Sequence, residues 1–240
     1  MGEVEKIISN ALGEGRLNLL ETEARELISA WEIPVPRSIQ IKVVEDLELK
    51  AEMISPPFVL KVVSRDILHK TEVGGVITGL RDENDVKNAF IRMKIDLELN
   101  APQARIEGFL LEEFIQGGVE VIIGGMKDPQ FGPVVMFGIG GVLVELMKDV
   151  SFRLAPVNQR EAIEMMEEIK VYSLLTGYRG SKPVDMEQLA STIMKLSDII
   201  TNIKEIKEIE INPLFAYEDG VVAVDTRVIL EKGSEKTNKI

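Results

Sequence analysis

Phe58-Val59-Leu60-Lys61-Val62-Val63-Ser64-Arg65-Asp66-Ile67-Leu68-His69-Lys70-Thr71-Glu72-Val73-Gly74-Gly75-Val76-Ile77 reads as two buried strands joined by a charged loop. The run 58–63 is apolar and β-branched apart from Lys61, and a partner strand is expected at about 73–79. His69 is the only histidine of the 240-residue chain, and it falls in the polar connection rather than on an apolar face. Arg65 and Lys70 lie close to it and would draw an anion. An imidazole nitrogen attacks with its lone pair without first losing a proton, which suits a phosphoryl acceptor. A surface histidine that hydrogen-bonds the backbone is the competing reading, and this segment alone leaves both open.

Composition narrows the field. A hydrophobic content of 45% in 240 residues supports one large domain or two lobes. The formal net charge of -12 argues against nucleic acid or an anionic membrane as a partner. Without cysteine there are no disulfides, thiolate metal sites or thiol nucleophiles, as fits a reducing interior. The polar, acidic start Met1-Gly2-Glu3-Val4-Glu5-Lys6 is no signal peptide. The longest apolar run, 131–146, carries four glycines, a proline and Glu145 and is too short for a membrane span. A soluble, cytoplasmic protein is expected.

Outward from the opening stretch, helices and strands interleave, as expected of an α/β (α+β) protein. Helical spacing predicts helices at 4–12, 21–31, 46–53, 82–97, 159–170 and 185–203. Strands are expected near 38–43, over 105–115, 119–126 and 132–137, and in a C-terminal hairpin.

That hairpin holds the second informative stretch, Glu208-Ile209-Glu210-Ile211-Asn212-Pro213-Leu214. Strict alternation points Ile209 and Ile211 one way and Glu208, Glu210 and Asn212 the other. The turn Tyr217-Glu218-Asp219-Gly220 reverses the chain into Val221–Asp225, so that Asp225 is expected beside Asn212. Carboxylate and amide oxygens, with phosphate and water completing the shell, suit Mg²⁺. An ordinary half-exposed hairpin is the bland alternative. A third stretch, Leu110-Leu111-Glu112-Glu113-Phe114-Ile115, runs into Gly117-Gly118-Val119-Glu120 and reads as a hinge or a plain hairpin. The fourth, Gly138-Ile139-Gly140-Gly141-Val142-Leu143-Val144-Glu145, is neither a Walker loop nor a dinucleotide fingerprint. Arg153 beyond it is a candidate phosphate ligand or one half of a surface salt bridge.

Taken in order, these pieces resemble the ATP-grasp fold, and most closely the nucleotide-binding β subunits of ADP-forming acyl-CoA synthetases, relatives of succinyl-CoA synthetase β. The resemblance runs from about Leu19 to Leu230. It is most specific in the Lys61 strand with the 68–76 loop and in Glu210-Ile211-Asn212-Pro213-Leu214 with the trailing Asp225. It implies two lobes with the nucleotide between them: an N-terminal helix over 1–20, lobe 1 over 21–111, lobe 2 over 112–232 and a charged tail over 233–240. By the same resemblance, Lys61 and Arg153 contact the phosphates. Glu112, Glu113, Phe114 and Ile115 form the adenine-facing hinge, and Glu120 holds the ribose. Asn212 and Asp225 bind Mg²⁺, with Glu210 as a further ligand or behind them. His69 carries phosphate from a phosphohistidine of an α subunit to ADP, and that partner supplies the CoA and acyl sites in an α2β2 assembly. Two other functions compete: an ATP-grasp ligase that forms an acyl phosphate, and a non-catalytic nucleotide-sensing subunit.

Overall fold

A computed structural model describes residues 2–46, 53–67, 69–141 and 149–232. The expected helix at 46–53, the Val142–Glu145 end of the glycine-rich stretch and the 233–240 tail lie almost wholly outside these residues. In chain order the elements are α1 (Glu3–Gly13), α2 (Glu21–Ala30), β1 (Ser38–Ile41), β2 (Phe58–Ser64), β3 (Val76–Leu80) and α3 (Glu83–Asn100). β4 (Ile106–Glu113), β5 (Val119–Asp128), β6 (Gly132–Ile139), β7 (Val150–Leu154), α4 (Gln159–Glu167) and α5 (Met186–Asn202) follow. β8 (Ile206–Tyr217), β9 (Gly220–Ala223) and β10 (Thr226–Leu230) complete the set. Strand β7 was not anticipated from its five residues. No helix among the described residues is long and apolar enough to cross a membrane.

Two compact units result, one of Pro36–Gln116 and one of Met1–Val35 with Gly117–Ile240. The smaller holds an antiparallel sheet of order β1-β4-β2-β3. Helix α3 starts where the Asp82 carboxylate accepts from the Asp85 amide at 2.9 Å. Its Val86, Phe90, Met93 and Leu97, spaced three and four apart, bury against Leu60, Val62, Phe109 and Leu111. Each such side chain contributes roughly 1.5–3 kcal/mol of hydrophobic stabilisation.

The larger unit is a sheet of order β10-β8-β5-β6-β7, with β9 also on β8. One face packs on α4 and α5 through Ile123, Val135, Phe137, Leu196 and Ile200. Helices α1 and α2 join this core through Ile8, Ala11, Ala24, Leu27 and Ile28. The division therefore differs from the expected boundaries at 20/21 and 111/112: residues 21–35 fold with the larger unit and 112–116 with the smaller. The cause is local. The Leu19 amide bonds Val228 O and the Leu230 amide bonds Leu17 O, tying the α1–α2 connection to β10.

Strand β8 departs twice from perfect alternation, and each departure has a structural cause. Its buried residues are Ile206, Ile209, Ile211, Leu214 and Ala216, so the parity changes between 206 and 209 and between 211 and 214. The first change coincides with the register shift at Ile229/Leu230. At the second, Ile211 opposes Ile123 and Leu214 opposes Val121, so one residue is extra in β8. A one-residue slip would turn every later side chain to the wrong face, and these bulges keep the apolar set inward. Pro213 suits the irregular position because it has no amide to give a ladder.

Candidate functional site

In the smaller unit, β2 and β4 pair Lys61 with Leu110 and Val59 with Glu112, so Lys61 and Glu112 are diagonal neighbours on the face away from α3. Lys61 Nζ lies 2.7 Å from Glu112 Oε1, and the two side chains are 6% and 1% exposed. Neither charge tolerates such burial alone, and removing one partner of a pair like this costs about 3–5 kcal/mol. Glu112 is thus in the body of a strand with its carboxylate on Lys61, and not at the hinge. Its neighbour Glu113 also turns back into this unit, accepting from the Ser55 amide at 3.0 Å. The chain is released only afterwards: Phe114 N–H still bonds Pro57 O, and the unit boundary falls between Gln116 and Gly117.

The loop from β2 to β3 is fixed at its C-terminal base. A 3-10 turn spans Lys70–Val73, and Gly74 closes it at φ 76°. Gly75 N–H bonds Lys70 O at 2.7 Å, and its carbonyl accepts from the Val62 amide at 2.8 Å. A Cβ on Gly75 would stand 2.6 Å from a Val62 methyl, and one on Gly74 would meet Asp96 Cβ at 3.0 Å. Only glycines permit that approach. His69, just before this base, is exposed and lines an open cleft with Asp66, Glu72 and Pro102. Arg65 is drawn aside, pairing with Glu107 at 2.6 Å. The Asp66 carboxyl is held below the usual carboxylate range, chiefly by the backbone amide of Arg105 and then by its charge.

In the larger unit, β5 restarts at Gly117 and Gly118, both at φ 76°, and a Cβ on Gly118 would meet Ala216 O at 2.8 Å and the Tyr217 ring at 2.9 Å. Burial pushes the Tyr217 phenol above its ordinary pKa. Glu120 is exposed and opposes Phe215. Gly140 N–H bonds Glu120 O at 2.7 Å, and a Cβ on Gly141 would come within 2.8 Å of Glu120 Oε2. The closely spaced glycines of the fourth stretch therefore wrap Glu120.

The bulge in β8 sets Asn212 beside Asp225. Asn212 N–H bonds Asp225 O at 3.0 Å and Val224 N–H bonds Pro213 O at 3.0 Å. These bonds bring Asn212 and Asp225 face to face between the β9 and β10 pairings. Asn212 is exposed and Asp225 partly so. Glu210 is otherwise engaged: Asn212 Nδ2 lies 3.4 Å from its Oε1 and Arg227 Nη2 lies 3.5 Å from its Oε2. Arg227 also bonds Glu208. Glu210 thus orients Asn212 more than it offers a ligand. Among the described residues no three His, Cys, Asp or Glu side chains cluster to hold a metal. That donor set fits Mg²⁺, which takes one or two protein oxygens and completes its shell with phosphate and water.

Arg153 is not brought to this site. Its partner in β6 is Val135, a core residue, whereas Glu210, Gly124, Met136 and Phe152 share the other face. The guanidinium bonds Glu168 beyond α4 and is raised in pKa chiefly by that hydrogen bond. Arg153 forms the salt bridge of its two expected readings, with Glu168 as the partner. Asp149 accepts from the Lys170 and Val171 amides.

The ATP-grasp domain family matches residues 10–230. The β subunit of acetate–CoA ligase (ADP-forming) I of Pyrococcus furiosus is 42% identical over 230 residues, 96% of this chain and 99% of that one. The chain belongs to the ATP-grasp family of ADP-forming acetate–CoA ligase β subunits. Among solved members of this family, acetyl-coenzyme A synthetase 1 of Ca. Korarchaeum cryptofilum, in complex with coenzyme A and Ca-AMPCP, superposes with a TM-score of 0.93 at 44% identity. The match covers 95% of this chain and 100% of that one. A second structure of that synthetase, with Mg-AMPPCP and its phosphohistidine segment pointing towards the nucleotide binding site, gives a TM-score of 0.84 at 41% identity, with coverages of 95% and 100%. The glycine-closed His69 loop of this ATP-grasp chain was legible from residue type; the Glu120 wrap and the Lys61–Glu112 pair were not.

Proposed function

We propose that this chain is the nucleotide-binding subunit of an ADP-forming acyl-CoA synthetase, catalysing acyl-CoA + ADP + phosphate to acid + CoA + ATP, reversibly. The observation that carries the proposal is the chain's single histidine, exposed just before a loop base locked by Gly74 and Gly75. The P–N bond of phosphorylated His69 breaks as a terminal phosphate oxygen of ADP attacks phosphorus. The electron pair returns to the imidazole nitrogen, and the phosphoryl group becomes the γ-phosphate. A high-energy P–N bond carries the free energy of the thioester into ATP.

The supporting roles follow chemistry. Lys61 neutralises phosphate charge, and Glu120 takes the ribose hydroxyls. The 113–116 segment presents backbone groups to the base. Asn212 and Asp225 hold Mg²⁺, and Glu210 steadies Asn212. The bound cation would offset the charge of the β- and γ-phosphates, which is most of what phosphoryl transfer requires. A second histidine must donate the phosphoryl group, and this chain has none. An α subunit bearing the CoA and acyl sites, in an α2β2 enzyme of the cytoplasm, completes the reading.

The test is incubation of the full chain, alone and with its α subunit, with Mg-ATP labelled at the γ-phosphate. The expected product is acid-labile, base-stable phosphate on the peptide containing His69. Nucleotide binding without any such label, in both preparations, would instead favour a sensing subunit.

A further inference from the structure

We infer that Glu112 is a positioning residue that holds the Lys61 ammonium where the nucleotide's phosphates are met, and that it acts on phosphate recognition only through Lys61. This rests on the proposed phosphate role of Lys61. Three observations carry it. The Nζ–Oε1 separation is 2.7 Å and the two side chains are 6% and 1% exposed. Register puts both on one face of the sheet, diagonal across β2 and β4. The remaining side chains of that face on these strands, Val59, Val63 and Leu110, are 5%, 0% and 3% exposed and offer no charge, and Gly108 opposite Val63 has none.

A lysine is a flexible four-carbon stem with a point charge at its end. In water it samples many rotamers, and a phosphate that needs it must order it first. Here the stem runs between buried valines and the ammonium is fixed by a carboxylate on the neighbouring strand, so that ordering is complete before a ligand arrives. An ammonium has three donors, so it can serve a carboxylate and a phosphate oxygen together. The carboxylate also compensates a charge that burial alone would disfavour. Glu112 then has no direct business with the base or the ribose, despite its place four residues before the unit's last residue.

The experiment compares MgATP and AMP binding to the full chain by calorimetry at saturating Mg²⁺, for wild type, Glu112→Gln, Glu112→Asp, Lys61→Gln and the Lys61→Gln/Glu112→Gln double variant. Glu112→Gln is expected to weaken ATP at least about tenfold while AMP changes by less than about threefold. Glu112→Asp keeps the charge and the fold but withdraws the carboxylate by a methylene, and should weaken ATP in the same selective way. The double variant should bind ATP no more weakly than Lys61→Gln, because a residue acting through Lys61 has nothing left to act on. Equal losses for ATP and AMP, or a further loss in the double variant, would overturn the inference. So would unaltered ATP binding in a well-folded Glu112→Asp protein. A different result, Lys61→Gln leaving the ATP-to-AMP affinity ratio untouched, would remove the phosphate role of Lys61 itself, on which the inference stands.

Discussion

Lys61 and Asn212 both sit within long antiparallel strands, yet Lys61 is 5% exposed while Asn212 is open to solvent. Their surroundings differ as sharply. Lys61 lies in a regular stretch of ladder with its counter-charge 2.7 Å away. Asn212 lies in a bulge, bonded through its backbone to Asp225. The difference follows from what each group would bind. A cation meant for phosphates can be prepaid with a protein carboxylate and kept dry, which holds one geometry. Oxygen ligands for Mg²⁺ must stay wet, because that ion retains water and takes substrate oxygens. Regular pairing serves the first need, and an irregularity that re-aims a side chain serves the second.

Breaking the comparison begins with the residue that both regions would serve. His69→Asn should abolish acid-labile label from ATP, a loss to background, because no other histidine exists in the chain to take it. Thermal stability should be unchanged, since the side chain is exposed. Measured label at wild-type level in a folded variant would end the carrier mechanism.

The next largest effect falls on the open region. Asp225→Asn keeps shape and the backbone bond to Asn212 but removes a charge from the proposed cation site. The Mg²⁺ concentration giving half-maximal labelling should rise about 10–100-fold, the range seen when residues supporting a metal are altered. AMP binding should be unaffected, because AMP lacks the β- and γ-phosphates that the cation would offset. A Mg²⁺ titration with an unchanged midpoint would show that the Asn212–Asp225 pair is an ordinary strand contact.

Much of this was legible because the residues concerned carry information in their type. The Gly74–Gly75 pair, the lone histidine and the alternation 208–212 each point to one local geometry. Arg153 was left with two readings because sequence position does not reveal which face of a sheet a residue takes. That depends on the register of β7 against β6, and on Val135 being its opposite number. Glu112 was placed at the hinge for a similar reason. Its real signal was an acid closing the apolar run Phe109-Leu110-Leu111, matched by a lysine in the apolar run 58–63. Two isolated opposite charges in two buried strands ask to be paired, and only the register confirms the partner. The unit boundary at 35/36 was hidden because α2 is amphipathic either way, and the Leu17 and Leu19 backbone bonds that assign it are non-local.

Gly75→Ala sharpens the comparison on the closed side. Its Cβ would stand 2.6 Å from a Val62 methyl and 3.0 Å from Lys70 O, in a place where β2 and the loop base both resist movement. Overpacking of this kind costs about 1–3 kcal/mol, read as a fall in the denaturant midpoint. Labelling of His69 should slow as well, because the loop base shifts, while the Mg²⁺ midpoint should hold. Gly132, at positive φ but with open space around it, is the control: alanine there should cost only the backbone strain, about 1 kcal/mol.

The smallest effect is expected away from both regions, at Glu26 on α2. Burial raises its carboxyl above the ordinary value, and the negative charges of Glu3 and Glu23 add to the shift. An acid whose folded pKa exceeds its unfolded pKa contributes stability that is fully present below the unfolded value. That contribution is lost as pH rises through the folded value. At neutral pH the ionised group therefore works against the fold. Glu26→Gln should raise the melting midpoint at pH 7 by about a degree, small because the group is largely solvated. The gain should vanish as pH falls through the carboxylate range. Neither the Mg²⁺ midpoint nor the ATP-to-AMP affinity ratio should respond, since a gain in stability that leaves both untouched is what separates general electrostatics from the two built regions. A variant less stable than wild type at pH 7 would mean that Glu26 has a favourable contact outweighing its repulsion from Glu3 and Glu23.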